Sequence, residues 1–284
     1  MVELNHPEEL KAWIRARREA GQRIGFVPTM GFLHEGHLRL VDVVRSHADV
    51  VVMSIFVNPL QFGPDEDLAR YPRDLDRDRV LAQGRGVDAL FVPARETMYP
   101  PGAEIMVVPG VTASRWEGAS RPGHFTGVLT VVAKLFNLVT PDVVGFGQKD
   151  FQQATLIRRM VKDLNWPVEI VLVPTVREPD GLALSSRNTY LDPENRRKAL
   201  ALSQSLRTAA ELWLAGERRG ARLKEAMEVG FRVYPEIVVE YIAIVDPESM
   251  EPVERVEATT VIAVAVRVGA TRLIDNIVLG QGIR

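Results

Sequence analysis

Residues 24–37 have the sequence IGFVPTMGFLHEGH, in which a short apolar run leads through a turn with glycine into the start of a helix. The apolar run predicts a buried strand, and a helix is predicted from about Gly36 to His47. In open α/β sheets, ligands bind just beyond the carboxyl end of such a strand. The helix N-terminus adds unpaired N–H groups and positive dipole potential, which suit phosphate. This stretch therefore predicts an α/β fold with an anion site at the strand tip.

The rest of the chain extends this pattern. Strand-like and helical stretches alternate over the first two thirds, and residues 50–57 (VVVMSIFV) form the clearest strand. Such a β-branched apolar run is typical of a parallel strand covered on both faces. After Pro174, two helical stretches, from Pro193 to Ala215 and from about Ala221 to Tyr234, precede three strand-like runs, which indicates a smaller α+β domain. We therefore predict a Rossmann-like doubly wound parallel sheet in residues 1–176 and a smaller C-terminal α+β domain in residues 177–284.

Composition excludes several classes of protein. The 284 residues include 35 Lys and Arg against 37 Asp and Glu, a net charge of −2, which disfavours binding to a long phosphate backbone. The absence of cysteine excludes disulfides, thiolate zinc sites and cysteine nucleophiles. No secretory signal is visible, and no apolar stretch approaches the ~18 residues of a membrane span. We expect a cytoplasmic enzyme whose partners include neither nucleic acid nor membrane.

Two histidines stand at the start of the helix after the first strand. His34 and His37 are three residues apart, so they share one helix face. Their imidazoles can donate to phosphate oxygens and stabilise charge that develops during attack on phosphorus. An isolated His-x-x-His is more often a turn with capping or surface histidines, but the flanking Gly31 and Gly36 and the position after a strand favour the phosphate hypothesis. A metal pair is disfavoured because no third ligand is suitably spaced.

Amide side chains follow the strongest predicted strand. Asn58 and Gln61 can orient a polar substrate without adding charge, although an Asn-Pro turn with a glutamine at its rim is favoured when the segment is taken alone. The stretch RPGHF at residues 121–125, which includes His124, either lines the site or forms a turn before a helix. Asp74, Asp76 and Asp78 could include a magnesium ligand, but the arginines between them favour a solvated helix face for most of them.

Two later segments carry cations. GFGQKDFQQ at residues 145–153 is again a strand, a turn and a helix, and it places Lys149 at a helix N-terminus. A cation there opposes the helix dipole unless an anion is bound, so Lys149 is a candidate ligand of a triphosphate. LSSRN at residues 184–188 offers two hydroxyls and a guanidinium, which suit phosphate oxygens. A polar loop that caps the next element is an equally supported interpretation of that pentapeptide.

Together these segments closely resemble the pantothenate synthetase (pantoate–β-alanine ligase) family. The resemblance spans nearly the whole chain and depends on the joint order of PTMG (28–31), SIFVNP (54–59), YPR (71–73), HFTGV (124–128) and SSRN (185–188). The element His34-x-Gly36-His37 is also similar to that of the wider nucleotidyltransferase superfamily, which includes class I aminoacyl-tRNA synthetases.

The resemblance implies a reaction in two steps. The carboxylate of pantoate attacks the α-phosphate of ATP to give pantoyl-adenylate and pyrophosphate, and the amine of β-alanine then displaces AMP to give pantothenate. It further implies that ATP is a substrate, that Mg²⁺ bridges phosphate oxygens, that the chain forms a homodimer, and that the C-terminal domain closes over the nucleotide.

The resemblance also implies a set of site residues. The catalytic groups are His37, as an acid-type residue, with His34, Lys149, Ser186 and Arg187. The substrate-binding residues are Gln61 and Gln153, with Asn58 as a support and His124 as a neighbouring donor. The ATP-binding residues are Met30, Gly31, Phe32, Leu33, His34, Glu35, Gly36, His37, Gly147, Gln148, Lys149, Asp150, Val176, Leu184, Ser185, Ser186 and Arg187.

The chain departs from commoner family forms at Phe32 and Gln148, and neither change removes a group that the chemistry needs. Arg77 interrupts an acidic cluster that some relatives show, so no side-chain ligand of Mg²⁺ is assigned. Two alternatives stay open at this point: a nucleotidyltransferase that stops at a nucleotidyl product, and a nucleotide-binding regulatory module without catalysis.

Overall fold

The computed structural model of the chain describes residues 1–283. These residues form two compact units. The first unit comprises Met1–Gly110, Arg121–Gly147 and Leu156–Val173, and the second comprises Val111–Ser120, Gln148–Thr155 and the chain from Pro174 onward. Two short segments from the middle of the chain thus group with the C-terminal residues. The domain boundary after residue 176 stays a prediction, and Arg284, the last residue of the second predicted domain, lies outside the described residues.

The first unit contains a parallel sheet, to which six strands of the described chain belong. In chain order these are β1 (Val2–Leu4), β2 (Ile24–Thr29), β3 (Val50–Ile55), β4 (Ala89–Phe91), β5 (Val143–Gly147) and β6 (Glu169–Val173). Their spatial order is β1-β4-β3-β2-β5-β6, and all neighbouring strands are parallel. The order changes direction between β2 and β5, which is the switch point where sheets of this kind bind ligands.

Helices connect and cover the strands. In chain order they are α1 (Pro7–Glu19), α2 (Glu35–Arg45), α3 (Leu75–Gly84), α4 (Arg95–Met98), α5 (Glu117–Ser120), α6 (His124–Val139), α7 (Phe151–Asp163), α8 (Pro193–Ala199), α9 (Ala201–Leu214) and α10 (Gly220–Phe231). The single helix predicted over residues 193–215 is divided at Leu200, whose N–H bonds to the Arg197 carbonyl three residues earlier instead of continuing the α pattern. The predicted helix and strand bounds otherwise differ by a few residues at most.

Helices lie on both faces of the parallel sheet. A Cβ on Gly25 in β2 would overlap Val44 of α2, and a Cβ on Gly145 in β5 would overlap the same side chain. The next residue of β2, Phe26, meets Phe136 of α6 edge to face. Because successive residues of a strand point to opposite faces, α2 and α6 cover opposite sides of the sheet. The two glycines let α2 pack closely, which places its N-terminus beyond β2.

The second unit contains an antiparallel sheet of β7 (Val238–Val245), β8 (Val261–Val268) and β9 (Thr271–Val278), in that spatial order. Its apolar core joins side chains of α9 and α10, such as Leu206 and Leu223, to strand residues such as Val264. The predicted fold class, a Rossmann-like parallel sheet with a smaller α+β part, is confirmed. The short strand β1 was not predicted, because three residues before a proline-started helix show no periodicity. Among residues 1–283, no helix is both long and apolar enough to cross a bilayer.

Candidate active site

The loop between β2 and α2 follows a fixed path. Gly31 and Phe32 both have left-handed backbone angles, with φ of 82° and 49°. A Cβ on Gly31 would lie 3.0 Å from a carboxylate oxygen of Asp78, so space as well as conformation selects glycine there. Thr29 Oγ1 accepts from the Gly31 N–H at 3.1 Å and donates to the Ser54 carbonyl at 2.7 Å. The loop is therefore tied to β3 at its first turn.

Asp78 holds the next part of the same loop. Its carboxylate accepts hydrogen bonds of 2.7 Å from the N–H groups of Phe32 and Leu33. The residue is only 1% exposed. Burial raises the pKa of Asp78 above its ordinary value, and the two backbone hydrogen bonds offset part of that shift. Asp78 thus fixes the loop between β2 and α2 from α3, 45 residues away in the sequence.

The acidic cluster of α3 has structural roles at all three positions. Asp74 accepts from the Arg77 N–H at 3.1 Å as a helix cap, and Asp76 pairs with Arg79 at 2.6 Å. The solvated helix face predicted for most of these carboxylates does not include Asp78. A sequence signal for its burial exists, because Asp78 stands one helical turn before the buried Ala82.

His34 and His37 lie together at the N-terminus of α2. The His34 N–H donates to Nδ1 of His37 at 3.3 Å, and the two rings stack with their centroids 4.0 Å apart. With Nδ1 as the acceptor, a neutral His37 ring carries its proton on Nε2. That N–H is a suitable donor to an oxygen that gains negative charge.

Asn58 and Gln61 lie on a short 3-10 turn directly after β3. Asn58 is 1% exposed, and its Nδ2 donates to Gln61 Oε1 at 3.0 Å and to the Gly127 carbonyl at 3.1 Å. Its Oδ1 accepts from the Tyr99 hydroxyl at 2.8 Å, and burial raises the pKa of that phenol. Asn58 therefore holds the turn and the Gln61 side chain in place, and its predicted role as a support near the substrate stays a prediction.

His124 and Arg121 hold the main chain of Gln61. Nδ1 of His124 lies 2.9 Å from the Gln61 carbonyl, and Arg121 donates to that carbonyl at 3.2 Å. Nη1 of Arg121 lies 3.1 Å from His124 Nε2, so the proton of a neutral His124 is on Nδ1. Arg121 also bonds both oxygens of Glu66, at 2.7 and 2.6 Å. Burial raises the pKa of Glu66, but the hydrogen bonds and the charge of Arg121 lower it by a larger amount. The pKa of Glu66 therefore lies below its ordinary value.

The turn Pro59–Gln61 and the loop between β2 and α2 are in contact within the first unit. Nε2 of Gln61 lies 3.2 Å from the sulfur of Met30. A Cβ on Gly127 would overlap the Leu60 carbonyl, so α6 lies directly against the turn. The structure thus brings together the predicted residues from Met30 to His37 with Asn58, Gln61 and His124 near the carboxyl ends of β2 and β3.

In the second unit, the two segments that carry Lys149 and Arg187 each form a 3-10 turn. Gln148–Asp150 form a 3-10 turn that leads into α7. Gln153 is partly buried in the first turn of that helix, whereas its neighbour Gln152 is buried and bonds the carbonyls of Thr112 and Arg115 at 2.9 and 3.0 Å. Gln152 therefore anchors the segment Val111–Ser120, which the sequence did not predict to lie there.

The remaining predicted ATP residues lie on one hairpin of the second unit. The Leu184 N–H bonds the Val176 carbonyl at 2.9 Å, which brings two separate predicted positions side by side. Ser185 Oγ then accepts from the Arg187 N–H at 3.3 Å and starts a 3-10 turn over Ser186–Tyr190. Both predicted roles of this segment, a cap and an anion-binding loop, are compatible with this geometry.

The sequence model of the Pantoate-beta-alanine ligase family matches residues 3–278. The chain belongs to this family. The resemblance deduced from the separate motifs is thereby confirmed.

Curated relatives match over almost the full length. The chain is 57% identical over 271 residues to the pantothenate synthetase of Moorella thermoacetica, with 95% of each chain covered. It is 54% identical to the pantothenate synthetase of Thermotoga neapolitana, with 96% of this chain and 98% of the relative covered.

Solved structures of the family share the fold. Pantothenate synthetase from Thermus thermophilus matches with a TM-score of 0.94 and 51% identity, over 98% of this chain and 99% of that one. Pantoate-beta-alanine ligase from Francisella tularensis, complexed with beta-gamma ATP and beta-alanine, matches with a TM-score of 0.82 and 33% identity over 100% of both chains.

Proposed function

We propose that the chain ligates (R)-pantoate and β-alanine to pantothenate with ATP, through a pantoyl-adenylate, and releases AMP and pyrophosphate. The observation that carries the proposal is the family match over residues 3–278, because it spans both units. The chain retains His34, His37, Lys149, Ser186 and Arg187, so each charged or polar group required by the scheme has a candidate.

In the first step, a carboxylate oxygen of pantoate forms a bond to the α-phosphorus as the bond to pyrophosphate breaks. His37 donates from Nε2 to an α-phosphate oxygen, with His34 beside it. Lys149, Ser186 and Arg187 hold the remaining phosphate oxygens. Because no covalent enzyme intermediate is required, the rate derives from orientation and electrostatic stabilisation.

In the second step, the amine of β-alanine attacks the acyl carbon and AMP departs. Gln61 and Gln153 bind pantoate, and Gln61 also borders β-alanine. Asn58 and His124 act by holding Gln61 at its side chain and its carbonyl, since their polar atoms are within 3.0 Å of those groups.

In the proposed reaction, Mg²⁺ would be bound by phosphate oxygens of ATP. Within residues 1–283, no group of three or more His, Asp or Glu side chains is placed to hold a metal ion. The three carboxylates at the start of α3 already have partners. Asp74 caps the helix, Asp76 pairs with an arginine, and Asp78 accepts from two backbone N–H groups of the loop after β2. This arrangement fits an ion held mainly by phosphates and water, as Mg²⁺ commonly is. When bound, the ion neutralises phosphate charge.

We further propose a cytoplasmic homodimer. Ile105 is 92% exposed, and the neighbouring Met106 and Val108 also present apolar surface. Exposed apolar patches are typical of interfaces between proteins. Mass measurement by light scattering tests this: Ile105→Ser with Val108→Ser should shift the mass towards the monomer, and a monomeric wild-type chain would contradict the proposal.

The reaction is tested by assaying pantothenate formation with pantoate, β-alanine and MgATP, omitting each reactant in turn. We expect pantoate-dependent pyrophosphate release and β-alanine-dependent AMP formation. Pyrophosphate release without AMP formation on addition of β-alanine would indicate a transferase that stops at the adenylate. ATP binding without turnover would indicate a regulatory module.

The role of Lys149 is tested by Lys149→Ala, which should lower adenylation by about 10²-fold or more, the scale for loss of one transition-state donor. Lys162→Ala is the matched control, because it removes the same group from the last turn of α7. Near-normal adenylation by Lys149→Ala would contradict the assigned role.

A further inference from the structure

Two adjacent polar residues are buried in β9. Asp275 and Asn276 are each 2% exposed, and their strand neighbour Ile277 belongs to the apolar core. Burial of polar groups is unfavourable unless they are hydrogen-bonded. Successive side chains of a strand point to opposite faces, so the two residues reach different parts of the second unit.

Asn276 holds the turn that carries Lys149. Its Nδ2 donates to the carbonyl of Gln148 at 2.9 Å and to the carbonyl of Lys149 at 2.8 Å. Both amide hydrogens are thus used on consecutive peptide groups, and Oδ1 lies 3.4 Å from Nε2 of Gln148. These bonds fix the peptide planes on both sides of the Lys149 Cα, and therefore the direction in which its side chain leaves the backbone.

Asp275 holds the hairpin that carries Val176 and Leu184. Its two oxygens accept from Arg177 at 2.6 and 3.0 Å, and this ion pair is buried. Arg177 follows Val176 directly and bridges to Ala183, the residue before Leu184. The same guanidinium donates to the Gly181 carbonyl at 3.2 Å, inside the loop of the hairpin.

We infer that Asp275 and Asn276 are positioning residues for adenylation, through which β9 holds the hairpin of Val176 and Leu184 and the turn that carries Lys149. This inference depends on the proposed role of Lys149. Donors stabilise a transition state best when they are held in place beforehand, and buried supports provide that rigidity. Asn276 acts through the two peptide groups it holds, and Asp275 acts through the guanidinium of Arg177.

The variant Asn276→Asp tests this inference, because it keeps the size of the side chain and replaces the donating amide by an oxygen that faces two carbonyl oxygens. We expect pantoate-dependent pyrophosphate release to fall about tenfold or more in kcat, since displacement of a catalytic group by ~1 Å can cost up to about 10²-fold. The KM for pantoate should stay within about twofold, because no pantoate contact is removed. An unchanged kcat in folded enzyme would overturn the inference.

Thr260→Val is the matched control. Thr260 is buried in the same unit, and Thr260 Oγ1 accepts from the Glu257 N–H at 2.9 Å, so this variant also loses a buried hydrogen bond. We expect a lower melting temperature with an unchanged kcat. An equal fall in kcat for Thr260→Val would attribute the effect to general softening and overturn the inference. If Asn276→Asp does not fold, Asn276→Ser, which keeps one donor, is measured with the same expected direction and the same contradicting result.

A double-mutant cycle separates this inference from the proposed function. If Asn276 acts through Lys149, Asn276→Asp should change the rate of the Lys149→Ala enzyme by less than about threefold. Fully multiplicative effects would overturn the inference while leaving the role of Lys149 intact. A Lys149→Ala enzyme with normal adenylation would instead remove the role of Lys149 itself, and the inference with it.

Discussion

Asp78 and Asp275 are both almost completely buried, and each fixes a segment that carries proposed ATP-binding groups, but they have different partners. Asp78 accepts from two backbone N–H groups of the loop after β2, at 2.7 Å each. Asp275 binds the guanidinium of Arg177 in a buried ion pair, at 2.6 and 3.0 Å. In the first unit, the loop after β2 is thus held by its own backbone N–H groups, which donate to Asp78. In the second unit, the hairpin is held by the guanidinium of Arg177, which donates to Asp275.

The difference determines what a neutral substitute loses. A carboxylate held by backbone N–H groups loses one acceptor when it becomes an amide, and the unfavourable burial of its charge disappears at the same time. A carboxylate paired with a buried arginine leaves that cation without its counter-charge, which is far less favourable. Two buried aspartates with similar exposure therefore have unequal importance for stability.

The largest expected effect is that of Asp275→Asn, which should lower the free energy of unfolding by about 3–5 kcal/mol because Arg177 stays buried and unpaired. Asp180→Asn is the control, since Asp180 pairs with Arg196 near the surface, where an ion pair contributes about 1 kcal/mol or less. Urea unfolding measures both. Similar losses for the two variants would break the comparison.

A smaller effect is expected for Asp78→Asn, about 1–3 kcal/mol, because one N–H of Phe32 or Leu33 loses its acceptor. Asp76→Asn in the same helix, where the carboxylate is exposed, should stay within about 0.5 kcal/mol of wild type. A loss for Asp78→Asn as large as that for Asp275→Asn would show that the type of partner does not matter.

The smallest effects appear in a pH series. Burial raises the pKa of Asp78, so its contribution to stability is present below the unfolded value of 3.8 and is lost as pH rises through the folded pKa. Wild type should therefore gain stability relative to Asp78→Asn on acidification.

Glu66 should show the opposite trend. Arg121 holds the pKa of Glu66 below 4.5 against the effect of burial, so the contribution of Glu66 to stability is present above that value and is lost as pH falls. As pH falls, wild type should therefore lose stability relative to Glu66→Gln. If wild type changed in the same direction relative to Asp78→Asn and to Glu66→Gln, this assignment would be contradicted.

Local patterns were sufficient to predict most elements, and they are also the basis for the prediction of which residues bind phosphate. The apolar run of β3 and the strand–turn–helix around His34 and His37 are short-range features, because strand and helix periodicity and helix-end chemistry depend on neighbouring residues. The proposed role of Lys149 has the same kind of basis, since a lysine at a helix N-terminus opposes the dipole without an anion.

The supports of these residues could not be predicted in the same way. Asp78 lies 45 residues from the loop it holds, Asp275 lies 98 residues from Arg177, and Asn276 lies 127 residues from Lys149. No local pattern specifies such pairs, because a buried aspartate or asparagine is chosen by the partner that packing brings to it. The hydrogen bonds from Gln152 to the segment Val111–Ser120 are a further example of a contact that no local pattern predicts.

The sequence by itself determined the fold class and the order of the elements, and it predicted which groups bind an anion, because these follow from periodicity and from the chemistry of neighbouring residues. Only the tertiary structure decided which carboxylates and amides hold those groups in place. Such contacts join distant segments and depend on burial, which strengthens a satisfied hydrogen bond and makes an unsatisfied one costly.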